Sequence, residues 1–224
     1  MTAAPAPNVP PAVLAEIRQE CGQAVAPELH LLSDRVRARF GDAVAAVMFY
    51  GSCLRSGDPG EGLVDLYVLV DRYTDAYDSF VLRTANACLP PNVFMLQLRT
   101  DTGRTLQAKY AVLSLADFEA GAGRWFQSYV WGRFAQPSRL VYARDDGTRR
   151  RLHAALAQAA LTLLREALPC VADDFDAETI WRAGLALSYG TEMRPEALDR
   201  PVQLVQRNAA YFSRLTAAAA PAVE

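Results

Sequence analysis

Two short apolar runs joined by a polar loop constrain this chain more than any other feature. Val47-Met48-Phe49-Tyr50 leads into Gly51-Ser52, and Leu63-Val64-Asp65-Leu66-Tyr67-Val68-Leu69-Val70 follows after the loop. Both runs are too short for buried helices and are bounded by turn formers, so they read as buried strands. An acid inside a Val/Leu strand is costly unless it is paired, hydrogen-bonded or bound to a metal. Asp65 therefore calls for a chemical explanation.

Each part of the segment suits nucleotide chemistry. Glycine at position 51 allows the backbone to approach a phosphate, and neighbouring N–H groups with the Ser52 hydroxyl can cradle phosphate oxygens. A carboxylate on the adjacent strand can hold Mg²⁺, an ion that takes few protein ligands and completes its shell with substrate phosphates and water. Alone, Gly51-Ser52 would be only a turn and Asp65 only an irregular strand residue; together they are more specific. A second strand carboxylate is missing. Tyr67 occupies the position two beyond Asp65 on the same face, and Asp71, six residues along, lies roughly 20 Å away. A second acidic ligand would have to come from Asp58 or Glu61 in the loop.

Around this segment the order of elements is legible. Helices are expected over Val13 to Ala24 and Glu28 to Phe40, the second broken by Gly41-Asp42. Strands are expected over 43–50, 63–70, 92–98 and 103–113, and the pattern turns helical from Leu115. A long helix is expected over 149–168, with Leu152, Leu156, Leu163 and Leu164 inward. Another, capped by Asp174 or Asp176, runs to about Leu187, and a last one spans 201–215 with proline in its first turn. Strands first and helices later argue an α+β protein. The expected division is a disordered tail over 1–11, a strand-bearing domain over 12–114, a helical domain over 115–216 and a second disordered tail over 217–224.

Composition narrows the function. The net charge of −2 over 224 residues predicts no broad attraction to nucleic acid or anionic lipid, so any basic site is local. Cys21, Cys53, Cys88 and Cys170 lack metal-ligand spacing, and no leader or membrane span is evident. A reducing cytoplasmic setting is expected.

Four stretches, in order, carry a family resemblance: Phe49-Tyr50-Gly51-Ser52 with Asp65; Lys109-Tyr110-Ala111-Val112-Leu113-Ser114; Trp125 with Tyr129-Val130-Trp131-Gly132-Arg133-Phe134 and Gln136-Pro137; and Gly184-Leu185-Ala186-Leu187-Ser188-Tyr189-Gly190. With these the chain resembles the mitochondrial-type phosphatidate cytidylyltransferases, or CDP-diacylglycerol synthases, which have bacterial relatives. That resemblance implies a nucleotidyltransferase (polymerase-beta-like) mixed sheet with flanking helices, followed by a smaller helical, winged-helix-like domain. It implies Mg²⁺-dependent transfer of CMP from CTP to phosphatidic acid, giving CDP-diacylglycerol and pyrophosphate in phospholipid biosynthesis. It also implies a bacterial cytoplasmic enzyme in peripheral contact with lipid on the inner face of the membrane. Gln136 departs from the family, which usually carries lysine there.

The expected catalytic set is Asp65, Ser52 and Lys109, with Asp65 the metal ligand. The expected nucleotide-binding set is Tyr50, Gly51, Ser52, Lys109, Arg133, Ser188 and Tyr189. Lys109 is either a neutralising charge for the triphosphate or a solvated strand lysine. Arg133 offers a planar fork for phosphate or a structural ion pair. Gly190 reads as a helix C-cap, and the resemblance is what raises Ser188 and Tyr189 above that. In the last helix Val202, Val205, Ala209 and Phe212 form a stripe that either docks on a bilayer or packs on its own domain. Two rivals stay open: a nucleotidyltransferase acting on a small molecule or a protein, and a catalytically inactive nucleotide-binding relative.

Overall fold

A computed structural model describes residues 9–51, 53–54, 62–190 and 200–223. In chain order its helices and strands are α1 (Pro11–Cys21), α2 (Pro27–Phe40), β1 (Val44–Tyr50), β2 (Leu63–Val70), α3 (Tyr73–Ala76) and α4 (Phe80–Cys88). They continue with β3 (Asn92–Arg99), β4 (Thr105–Ser114), α5 (Leu115–Gly123), α6 (Trp131–Phe134), β5 (Arg139–Ala143), α7 (Asp146–Ala167), α8 (Ala177–Gly190), α9 (Arg200–Arg207) and α10 (Ala209–Val223). The chain forms two compact units. One comprises Cys21–Phe118 and Ser138–Arg150; the other comprises Met1–Glu20, Glu119–Pro137 and Arg151–Glu224.

The first unit is built on a five-stranded mixed sheet in the order β3-β4-β2-β1-β5. Strands β2 and β4 run parallel, and the other neighbouring pairs are antiparallel. All seven residues of β1 are buried, as its unbroken apolar run requires. Helix α2 starts with proline in its first turn and stops at Gly41, whose φ of 57° is a left-handed value natural for glycine. Its Leu29, Leu32, Val36 and Phe40 pack with Val47, Phe49, Val64, Leu66, Val68, Leu106, Ala108, Tyr110 and Val112. Each Val, Leu or Phe of this set contributes about 1.5–3 kcal/mol by leaving water. This face of the sheet is the core; the opposite face presents Tyr50, Asp65, Tyr67 and Lys109.

Helix α4 is tied to the sheet by a polar residue. Asn86 is fully buried. Its amide donates to the Val112 carbonyl at 3.0 Å, while its Oδ1 accepts from the Tyr77 hydroxyl at 2.8 Å and the Asn92 N–H at 3.3 Å. These bonds offset the cost of burying an amide.

The second unit carries no strand among the described residues, so the wing of a winged helix has no counterpart there. The inward leucines expected in α7 are buried. Trp181 of α8 packs on Phe212 with ring centroids 4.6 Å apart, and its indole N–H donates to Thr216 Oγ1 at 2.8 Å. Asp176 accepts from the Thr179 N–H at 2.8 Å, so it is the Asp176 alternative that caps α8.

Four expectations are corrected. The stretch 115–216 was expected to be wholly helical, with a boundary near 115, yet β5 lies within it and joins the sheet beside β1. The tail expected over 217–224 is helical through Val223, because alanine is the best helix former and outweighs the tail-like Ala/Pro composition. The tail expected over 1–11 ends sooner: Val9 is buried and α1 begins at Pro11, residues 1–8 lying outside the described ones. The last helix is also divided, since Asn208 turns its amide back to the Leu204 carbonyl at 2.9 Å. Among the described residues no helix is long and apolar enough to cross a membrane.

Candidate active site

Asp65 lies in the third position of β2, between Tyr50 on one neighbouring strand and Lys109 on the other. The parallel register makes Asp65 and Lys109 direct partners, so both side chains leave the same face. Lys109 Nζ stands 3.0 Å from Asp65 Oδ1. The contact is an ion pair. Asp65 is 17% exposed and Lys109 40% exposed. The carboxylate is thus paired, with a half-exposed lysine rather than a buried one.

The other carboxylate oxygen faces the turn. Gly51 has φ 91°, and a Cβ placed on it would lie 2.5 Å from Asp65 Oδ2. No side chain fits there, and the backbone conformation independently favours glycine. Tyr50 and Tyr67 pack edge to face beside this pair, with centroids 5.3 Å apart. Cys53 Sγ donates to the Leu63 carbonyl at 3.1 Å, and Gly62 closes over the same sulfur. This bond joins the start of the loop to the start of β2. Cys53 carried no signal in the sequence, because a lone buried cysteine has no spacing to recognise.

The structure therefore gathers Tyr50, Gly51, Asp65 and Lys109. Ser52, with Asp58 and Glu61, lies outside the described residues. Arg133, Ser188 and Tyr189 belong to the other unit, where they meet one another's neighbours. The Arg133 guanidinium sits over the Tyr129 ring, 4.9 Å from its centroid. Ser188 is buried, and its hydroxyl donates to the Leu185 carbonyl at 2.9 Å. The Ser128 hydroxyl donates to the Ser188 carbonyl at 3.2 Å. Tyr189 donates to Gln136 Oε1 at 3.4 Å, and Gln136 Nε2 donates to the Gly132 carbonyl at 3.0 Å. A Cβ on Gly132 would lie 2.3 Å from that of Ser188, so α6 and α8 touch through this glycine. Asp71, just past β2, is held by both terminal nitrogens of Arg144.

Among the described residues no three His, Cys, Asp or Glu side chains cluster as metal ligands. Asp65 alone does not make a self-sufficient cation site. It does fit Mg²⁺ brought in with a nucleotide, since that ion binds through one or two carboxylates plus substrate phosphates. Lys109 beside it suits the same anionic ligand.

No protein-family model matches the chain. Over 113 residues it is 29% identical to the mitochondrial phosphatidate cytidylyltransferase of Xenopus laevis, a match covering 49% of this chain and 32% of that relative. The chain thus corresponds to about a third of the relative's length. The similarity supports a distant relationship to a transferase of lipid metabolism.

Proposed function

We propose that this protein is a nucleotidyltransferase, built on a nucleotidyltransferase-type sheet, that moves CMP from CTP to phosphatidic acid. The observation that carries the proposal is the close approach of Gly51 to the Asp65 carboxylate, with Lys109 on the third strand of the same row. A glycine without a side chain, an acid and a cation within one small area suit a triphosphate and its counter-ion. The similarity to the Xenopus enzyme supports the choice of acceptor.

The chemistry requires little covalent help. A phosphate oxygen of the acceptor attacks the α-phosphorus of CTP, the bond from that phosphorus to the bridging oxygen breaks, and pyrophosphate leaves. The acceptor phosphate is already anionic near neutral pH, so no general base is needed. Catalysis then consists of alignment and charge neutralisation. Asp65 would hold Mg²⁺, which would supply neutralisation to the triphosphate. Lys109 would release Oδ1 when nucleotide arrives and take a phosphate oxygen in its place. Ser52 would add its hydroxyl.

The test is pyrophosphate release from labelled CTP or ATP, each with and without phosphatidic acid. Release that depends on CTP and lipid together is the expected result; release indifferent to lipid would remove phosphatidic acid as acceptor. The pairing of the sole site acid with Lys109 favours one second reading, a nucleotide-binding relative without turnover. That reading requires CTP binding with no pyrophosphate formed under any acceptor.

A further inference from the structure

We propose that the Lys109 ammonium is a stand-in cation. It holds the cation place on Asp65 while the site is without nucleotide, and so keeps a free divalent ion out until nucleotide draws the lysine away. The inference rests on the nucleotide site proposed above and concerns how that site is regulated.

The choice of side chain is the first observation. Of the 23 lysines and arginines in the chain, lysine occurs once, at position 109. Arginine fills every other position of that kind. The two cations hold a carboxylate differently: a guanidinium fork grips both oxygens at once, whereas an ammonium is a point charge on a flexible stem. Both cases occur in the sheet unit. Arg144 donates from two nitrogens, one to each oxygen of Asp71. On Asp65 a single nitrogen, Lys109 Nζ, stands 3.0 Å from Oδ1, while Oδ2 lies on the Gly51 side. The first pair is a two-point clamp. The second can part by rotation of one half-exposed stem.

The register is the second observation. In its row Lys109 has Asp65 on one side and Met95 on the other. Leu63, Gln107 and Gln97 make up the row before it, and Tyr67, Ala111 and Val93 the row after it. Of these sheet neighbours only Asp65 is charged, so the ammonium has one partner there and no competing one.

Charge then decides the order of events. Asp65 is largely buried, and its carboxylate needs a counter-charge at close range. With the ammonium in contact that need is met. A divalent ion arriving alone would find an acid already neutralised and a cation that repels it. Among the described residues no cluster of three acids, histidines or cysteines compensates. A triphosphate reverses the balance. Its several charged oxygens attract Lys109 more strongly than one carboxylate does, and Asp65 is freed for an ion carried in with the phosphates. Nucleotide and ion therefore enter together.

The probe is Mn²⁺, read by water-proton relaxation, which is enhanced when the ion is held on a slowly tumbling protein. The full chain is used without lipid, so no turnover is required. Wild type with Mn²⁺ alone should show little enhancement, and wild type with Mn²⁺ and CTP a large one. K109M should bind Mn²⁺ alone about tenfold more tightly than wild type, and K109M/D65N should lose that gain. The sole lysine allows the same comparison on wild type that has already folded, since the amino terminus is its one other amine. Acetylation removes the charge and should reproduce K109M; reductive methylation keeps the charge and should leave wild-type behaviour. Three results would each overturn the proposal: wild type binding Mn²⁺ alone as tightly as K109M, no gain in either K109M or the acetylated protein, or a gain that survives in K109M/D65N. A methylated protein that gains like the acetylated one would do so as well. Absence of enhancement with CTP would overturn the nucleotide site, a separate failure, because comparing charged with neutral Lys109 in Mn²⁺ alone needs no nucleotide.

Discussion

The Cα of Gly51 points its missing side chain at the carboxylate of Asp65, where a methyl group would sit 2.5 Å from Oδ2. The turn at the end of β1 and the acid of β2 therefore occupy one small volume, and neither can be changed without affecting the other.

Gly51→Ala should fail on two grounds. Its φ of 91° is strained for any L side chain, at about 1–3 kcal/mol, and the new methyl drives the Asp65 carboxylate away from its position. Chemical denaturation should register the first effect. A fall in kcat of about a hundredfold or more, with the fold retained, should register the second.

Asp65→Asn keeps the shape and removes the charge. Turnover should fall by at least about two orders of magnitude, an effect on kcat rather than on the KM for CTP. Lys109→Met should raise the KM for CTP and lower stability only slightly, about 1 kcal/mol or less, because the pair is partly exposed. Lys109→Arg should recover part of the affinity. Steady-state kinetics on the three variants distinguishes a substrate-binding lysine from one that serves only to neutralise Asp65.

In the helical unit, Gly132→Ala forces α6 away from Ser188. Overpacking of this kind costs about 1–3 kcal/mol. Ser188→Gly should restore much of the loss, less about 1 kcal/mol for glycine within a helix, whereas Ser188→Ala should restore none, since its Cβ remains. Thermal melts of the two double variants check this.

Alkali should unfold the sheet unit through its tyrosines. Burial pushes the Tyr77 hydroxyl up to about 12, and burial with a hydrogen bond to Asp117 raises Tyr73 as well. An unfolded tyrosine titrates near about 10, so the unfolded chain loses protons first. Stability from this source is complete below about pH 10 and declines as pH rises through about 12. Tyr77→Phe should make that decline shallower, at the cost of about 1 kcal/mol for the bond to Asn86. Denaturation midpoints measured across this range test the sign.

Local pattern carried most of the fold. The runs 43–50 and 63–70, and the spacing of Leu32, Val36 and Phe40, stated their elements because each signal lies within a few neighbouring residues. Asp65 was conspicuous for the same reason: an acid among Val and Leu. Its partner was not, since only the parallel register of β2 on β4 puts Lys109 beside it, and register is a long-range property. Strand β5 escaped because Arg139-Leu-Val-Tyr-Ala is five residues long and only half-buried throughout, with no alternation to read. The solvent side of β3 escaped for the opposite reason: both sides of Val93-Phe94-Met95-Leu96 are apolar, so hydrophobicity does not tell them apart.

The place of β5 has a consequence for how the molecule is made. On a ribosome, β1 emerges long before residue 139, and until β5 arrives one flank of that wholly apolar strand has no main-chain partner. The nascent protein must carry this adhesive flank through the synthesis of nearly a hundred residues, a window in which misassociation competes with folding. A fragment stopped after β4 would keep that flank permanently bare, and should precipitate rather than behave as a free-standing module.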